Sequence, residues 1–259
     1  KNIESGSRNV AIGGQQGGGD GGTGEFLKNG DDNTFVGAKA GQGIDSGNIH
    51  SSDNVFIGAI AGGNQNGVDG NVGVGYKALV YARGNYSVAV GYEAGDHATG
   101  SYNTFVGGYA GQGGTTSAPY SSGQENTAVG YQALTGFTTG YGNVAVGGNS
   151  LDAVTEGFYN IGIGPAAGGS ITTGDHNIAI GNGAFDAATT SGYTVAIGYL
   201  ALSAYTHAES SYNVAIGGSS IASVKTSGRF NTYIGGYKNA AADLTGEKNV
   251  WIGSYANQY

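Results

Sequence analysis

The chain is predicted to be an all-β parallel β-solenoid, a β-roll of about 14 coils, and three observations carry that prediction. A five-residue unit, Asn-[Val/Thr/Ile]-x-[Val/Ile]-Gly with small variations, recurs fourteen times, its copies ending at Gly13, Gly37, Gly58, Gly75, Gly91, Gly107, Gly130, Gly147, Gly164, Gly181, Gly198, Gly217, Gly235 and Gly253. The steps run from 16 to 24 residues with 17 the commonest, the short period of stacked units that bury their apolar faces only against their neighbours. The 54 glycines among 259 residues follow this period rather than every third position, and two prolines are too few for collagen. The repeat spans residues 1–259 as a single domain.

Each part of the repeat has a physical reading. The first position is Asn in twelve copies and Ser87 or Thr194 in the others, short polar side chains suited to a turn. The second position is β-branched and the fourth is Ile or Val, while the third varies between Ala, Gly, Phe, Tyr and Trp. Alternation of period two marks a strand. Positions two and four share a face whose strict β-branching suits a close-packed ladder between coils, and the fourth-position column is expected to be the dry core. Gly at position five supplies a bend. A second phrase, two residues and then Ala or Ser (Ala40, Ala61, Ala78, Ala94, Ala110), reads as a second short strand, followed either by Gly or by a bulky apolar residue such as Leu79, Leu134 or Phe185. Gly, Ser, Thr and Tyr then lead to the next Asn with turn chemistry, as at Thr99-Gly100 and Thr173-Gly174.

Composition excludes several classes. Ten basic against eighteen acidic side chains give a net charge of −8, unsuited to wrapping nucleic acid or an anionic bilayer. No apolar stretch approaches the roughly 18 residues of a membrane span, so no membrane insertion is expected of this segment. The chain opens Lys1-Asn2-Ile3-Glu4 without a leader or an initiator Met, which reads as a fragment. The absence of Cys removes disulfides and thiolate metal sites.

Asn-Val-Ala-Ile-Gly followed by x-x-Ala or x-x-Ser resembles the head repeat of trimeric autotransporter adhesins of the YadA-like kind. The longer form with Gly-Tyr-x-Ala-Leu, at Gly75 to Leu79, Gly130 to Leu134 and Gly198 to Leu202, is similar to repeats of bacteriophage tail-fibre proteins. The resemblance covers nearly the whole chain and implies a left-handed parallel β-roll assembled as an intertwined or side-by-side homotrimer. It also implies an extracellular setting, on a bacterial cell surface or a virion tail.

The residues add a partial argument for the trimer. Position three carries no charge in any copy, so three chains meeting there would bury it, with Phe35, Phe56, Phe105, Tyr233 and Trp251 filling the wider gaps. The alternative is that position three packs inside a single roll.

Constellations that carry catalysis are scarce, and the chain is expected not to be an enzyme. Gly162-Ile163-Gly164-Pro165-Ala166-Ala167-Gly168 has the wrong spacing for a dinucleotide loop and lies inside the repeat. Asp96-His97 and Asp175-His176 read as solvated loop residues rather than parts of a triad. No cofactor is expected. Ca2+ on the acidic loop Gly18 to Glu25, with Asp31 and Asp32 following it, is the least implausible one.

Tyrosine carries the remaining signal. Among eighteen copies, Tyr86, Tyr102, Tyr159, Tyr193 and Tyr212 immediately precede the motif, whereas Tyr76, Tyr92, Tyr131 and Tyr199 follow its Gly. In a solenoid such columns become ladders, either structural or a stripe for sugar or protein. The two longest insertions, Gly14 to Asp32 and Gln112 to Glu125, depart from the repeat, and the second carries Pro119 and Tyr120. The function expected is a trimeric adhesin or receptor-binding fibre segment that contacts a host-surface glycan or protein. A structural shaft whose binding tip lies elsewhere is the alternative, and ice binding a more distant one, since position two holds Thr only at Thr34, Thr104, Thr127 and Thr232.

Overall fold

The computed structural model describes residues 7–13, 30–42, 51–64, 67–114, 117, 120–206, 211–218, 228–236 and 246–253. Every copy of the repeat forms one three-residue strand, and no helix occurs among the described residues. In chain order the strands are β1 (Val10–Ile12), β2 (Thr34–Val36), β3 (Val55–Ile57), β4 (Val72–Val74), β5 (Val88–Val90), β6 (Thr104–Val106) and β7 (Thr127–Val129), then β8 (Val144–Val146), β9 (Ile161–Ile163), β10 (Ile178–Ile180), β11 (Val195–Ile197), β12 (Val214–Ile216), β13 (Thr232–Ile234) and β14 (Val250–Ile252). The chain divides into two compact units, Lys1–Ala128 and Val129–Tyr259. In the first, β1 to β6 pair parallel in sequence order, each position of the motif opposite the same position of the next copy, as Phe35 is opposite Phe56. In the second, β8 to β14 do the same, as Ala179 is opposite Ala196. Each is a parallel β-solenoid, because the connection between parallel neighbours is one full coil of chain.

Position three faces the interior, which reverses the expected core. Ala89, Ala128, Ala145, Ala179, Ala196 and Ala215 are fully buried, whereas Ile57, Val90, Val106, Ile163 and Ile234 of the fourth column are more than a third exposed. The inside of a coil is narrow and accepts one side chain per strand, so the two β-branched columns stand outside. The expected placement of Phe35, Phe56, Phe105 and Tyr233 between chains is corrected with it. They are at most 3 % exposed within the single chain and offer no face to a partner. Trp251 is half-buried and stacks on Tyr233 at 4.6 Å.

The x-x-Ala phrase is not a second strand. It is a run of turns in which the second and fourth residues after the motif Gly take left-handed backbone, as Lys77 (φ 53°) and Leu79 (φ 53°) do. Their N–H groups point in opposite directions along the stack. Lys77 donates to Ala59 of the preceding coil at 3.0 Å and Leu79 to Ala94 of the following coil at 3.0 Å. The Ala between them is buried and closes the interior opposite the strand.

Size is exchanged between these two sides of the interior. Where position three is aromatic, at Phe35, Phe56 and Phe105, the fourth residue after the Gly is Gly41, Gly62 or Gly111. Where position three is Ala or Gly, at Gly73, Ala128, Ala145, Ala179 and Ala196, it is Leu79, Leu134, Leu151, Phe185 or Leu202. A Cβ on Gly111 would lie 2.2 Å from the Phe105 ring, and one on Gly41 2.6 Å from the Phe35 ring. Two coils are small on both sides and are filled from neighbours. Leu79 and Phe105 approach Gly95, and Leu151 and Ile171 approach Gly168. Close packing of this kind keeps the interior free of voids.

The motif Asn is buried and joins coil to coil. Asn33 donates its main-chain N–H and its Nδ2 to Asn9 Oδ1 at 2.8 and 3.0 Å, and Asn54 repeats both bonds to Asn33 at 3.0 and 3.1 Å. In the second unit Asn160 bonds to Asn143 and Asn177 to Asn160 in the same way. Each Nδ2 also donates to a carbonyl of the next coil, as Asn160 does to Gly174 at 2.8 Å. Ser87 and Thr194 hold the same rung, donating their main-chain N–H groups to Asn71 Oδ1 and Asn177 Oδ1. The motif Gly serves the same stacking. Gly181 has φ 125°, and a Cβ there would lie 2.5 Å from the carbonyl oxygen of Gly198, so the corner excludes side chains as well as bending the chain.

Candidate ligand-binding surfaces

The residue immediately before the motif Asn has left-handed backbone in every copy: φ lies between 50° and 62° at Arg8, Asp32, Asp53, Tyr86, Tyr102, Glu125, Tyr159, His176, Tyr193, Tyr212, Phe230 and Lys248, and is 68° and 64° at Gly70 and Gly142. This position holds the expected first Tyr column. A left-handed conformation costs a bulky L-residue on the order of 1–2 kcal/mol. Stacking against the ring of an adjacent coil contributes about 0.5–1.5 kcal/mol. The two nearly cancel, so ring-on-ring stacking alone does not account for aromatic residues where Gly would serve.

In the first unit the column places Tyr86 on Gly70 and stacks it with Tyr102 at 5.7 Å, both rings exposed. In the second unit Tyr159 lies over Gly142, and the rings of His176, Tyr193, Tyr212 and Phe230 follow. Their centroids are 4.8 Å (His176 to Tyr193), 5.0 Å (Tyr193 to Tyr212) and 5.1 Å (Tyr212 to Phe230) apart, with interplanar angles of 17° or less. Tyr141 and Phe158 form a second stack beside it, 5.2 Å apart and 5° from parallel, and Phe158 meets Tyr159 and His176 at 81°. Periodicity shows the first column, but His176, Phe230 and the Tyr141–Phe158 pair are not signalled by a search for Tyr.

The second expected column is exposed at Tyr76, Tyr92, Tyr131 and Tyr199. Tyr76 and Tyr92 stack at 5.2 Å, and Tyr109 meets Tyr92 edge-on at 5.3 Å. Lys77 Nζ lies 5.6 Å from the Tyr76 ring centre and 3.5 Å from Glu93 Oε1. In the second unit Tyr199 has no ring neighbour among the described residues.

The described part of the Gln112–Glu125 insertion folds back onto the preceding coil. Ser121 N–H donates to His97 O at 3.0 Å, and Thr99 N–H donates to Ser121 O at 2.7 Å. Tyr120 stacks on Tyr81 at 4.3 Å and lies 5.7 Å from the His97 ring, while the Arg83 guanidinium sits 5.8 Å from the Tyr120 ring centre. Gln112 Nε2 donates to Glu93 Oε2 at 2.9 Å. Under these rings Asp96 Oδ1 and His97 Nδ1 are buried without a partner. Burial, with Glu93 adding to it against Lys77, raises the Asp96 carboxyl to about 6, and burial lowers the His97 imidazole. Pro119 lies outside the described residues, so of the two insertion residues expected to bind only Tyr120 is placed.

Gly18 to Glu25, the expected Ca2+ loop, lies outside the described residues. Asp31 and Asp32, which follow it, bond to the preceding coil, Asp31 Oδ1 to Ser7 N–H at 2.6 Å and Asp32 to Arg8 Nε at 2.5 Å. These bonds hold both carboxyls below their usual range. Among the described residues no group of three or more His, Cys, Asp or Glu is placed to hold a metal ion. His176 Nδ1 is 3.0 Å from Asp175 Oδ2, whereas His97 Nε2 is 4.0 Å from Asp96 Oδ2. No described helix is long and apolar enough to cross a membrane.

Comparison with known proteins finds no match, whether to a protein family, to a curated protein or to a solved structure.

Proposed function

We propose that this chain is a segment of a non-enzymatic fibrous surface protein, a homotrimeric adhesin or receptor-binding fibre that attaches to a host cell or surface. The observation that carries this reading is the outward face of the strands. In each unit, positions two and four form in-register columns of partly exposed Val, Ile and Thr. A contiguous apolar surface of that kind marks an interface. A surface with the same 4.7–4.9 Å repeat between strands is presented by further copies of the chain. The trimer interface in this reading is therefore positions two and four, as at Ile163, Ile180 and Ile197, and not position three.

The repeat's resemblance to adhesin heads and tail fibres supports fourteen left-handed coils and an extracellular place on a bacterial surface or a virion tail. A host glycan or protein is the partner, and weak contacts repeated over three chains give avidity. The alternative of a shaft with its tip elsewhere draws on the ladders, whose rings largely cover one another's faces.

Light scattering tests the assembly. The expected mass is three times the 25.7 kDa of the chain, falling to one chain in Ile180→Asp/Ile197→Asp. A folded wild-type monomer at micromolar concentration overturns it. A trimer that fails to attach to host cells selects the shaft.

A further inference from the structure

The row two places before the motif Asn runs Tyr141, Phe158, Asp175, Gly192 in the second unit, each residue joined to the next coil through its carbonyl: Tyr159 N–H to Tyr141, His176 N–H to Phe158, Tyr193 N–H to Asp175 and Ser211 N–H to Gly192. The half-buried Phe158 ring lies parallel to Tyr141 at 5.2 Å and meets Tyr159 and the next coil's His176 at 81°, while the next rung of its own row carries a carboxylate instead of a ring. His176 Nδ1 holds Asp175 Oδ2 at 3.0 Å and fixes that carboxylate, while Oδ1 accepts no hydrogen bond from a described residue. An aromatic plane and an oriented acceptor thus stand one coil apart on a rigid scaffold. Thr173 beside them is exposed, as is the Tyr193 ring stacked on His176.

We propose that Phe158 and Asp175 form a subsite for a neutral pyranose of a glycan. The apolar C–H face of the sugar lies on the Phe158 ring, and a pair of its hydroxyls donates to Asp175. The surroundings favour a sugar over a peptide, since hydroxyl and aromatic groups border the site. Asp175 and Glu156, on a chain of net charge −8, disfavour acidic sugars. The proposal names the ligand class within the attachment reading and rests on that reading.

Saturation-transfer NMR on the intact chain, with methyl β-D-glucopyranoside, methyl α-D-mannopyranoside and methyl β-D-galactopyranoside as probes, tests it. Transfer to ring C–H protons of at least one probe is expected. Phe158→Leu, which keeps apolar bulk but removes the ring face, and Asp175→Asn should each weaken binding by about tenfold or more. Lys39→Gln, at an exposed position outside every candidate binding surface, should leave it unchanged, with melting curves confirming that all three variants fold. No transfer from any probe, or transfer that survives in both Phe158→Leu and Asp175→Asn, overturns the subsite. Attachment to host cells, measured on the same preparations, separates the two readings. Attachment without pyranoside binding overturns the subsite and keeps the adhesin, while pyranoside binding without attachment keeps the subsite and overturns the adhesin. Attachment abolished by protease treatment of the cells but not by periodate overturns the subsite in favour of a protein receptor.

Discussion

Asn160 Oδ1 accepts two hydrogen bonds from Asn177, one from its main-chain N–H at 3.0 Å and one from its Nδ2 at 3.0 Å. The same Asn177 gives its Nδ2 to Ser191 O at 2.8 Å and takes the N–H of Thr194 on its Oδ1 at 3.1 Å. One buried side chain therefore serves three coils.

Asn177→Ala should keep the main-chain bond to Asn160 Oδ1 but remove the three side-chain bonds, taking this partner from the Ser191 carbonyl and from the Thr194 N–H in the interior. At about 1–3 kcal/mol for each group that loses this partner, the expected loss is about 3 kcal/mol. Asn177→Ser should lose less, because Ser87 takes the same rung by accepting the N–H of Asn103 at 3.1 Å. Urea midpoints compared at constant m-value measure both, and equal losses for Ala and Ser would contradict the ladder.

The exchange of size across the interior is testable by swapping it. Phe105→Ala should cost about 3–5 kcal/mol. Adding Gly111→Leu should recover much of that loss, since Leu79 and Leu134 already adopt the left-handed backbone that Gly111 has. Gly111→Leu alone should fail to fold, the Phe105 ring occupying its place. Thermal melts of the three variants decide, and a double variant no more stable than Phe105→Ala speaks against reciprocal packing.

Neighbouring residues of β10 should respond oppositely to a carboxylate. Ala179→Asp buries an unpaired charge where nothing can solvate it and should unfold its coil, a loss of several kcal/mol. Ile180→Asp, on the outward face, should leave the coil folded. Circular dichroism separates the two outcomes, and unfolding by Ile180→Asp would restore the fourth position to the core.

Asp96 supplies a pH dependence with a definite sign. Its folded pKa, about 6, lies above the ordinary 3.8, so the folded chain binds the proton more tightly than the unfolded one. Stability from this group is full below about pH 4 and declines as pH rises through 6, by about 3 kcal/mol. His97 opposes it, because a lowered imidazole pKa withdraws stability as pH falls below 6.5. Asp96→Asn should exceed wild type in stability at pH 8 and match it near pH 4. A difference independent of pH in urea titrations would remove burial of the charge as the cause.

The position of the fourteen motif strands was legible in the sequence, because Val-x-Ile alternation before Gly repeats without a break, whereas the second strand expected at x-x-Ala is a run of turns. The orientation of the motif strands was not. Alternation separates two faces without saying which is inside, and Ile180 looks more like core than Ala179 does. The pairing of Phe35 with Gly41 and of Ala145 with Leu151 was present as a signal, since each Phe at position three is followed by Gly on the other side. Leu79 and Phe185 in left-handed backbone were illegible, because that conformation is ordinarily reserved for Gly and Asn. The Tyr columns were visible as columns. The docking of Tyr120 on Tyr81 depends on how an insertion folds back, which no periodicity encodes.

Within each unit nearly every main-chain bond between coils runs along the direction in which the coils are stacked. A pull along that direction loads those bonds one coil at a time, whereas a pull across it shears many together. Each unit is therefore mechanically anisotropic, peeling coil by coil from a free edge at low force while resisting sideways load along its whole length.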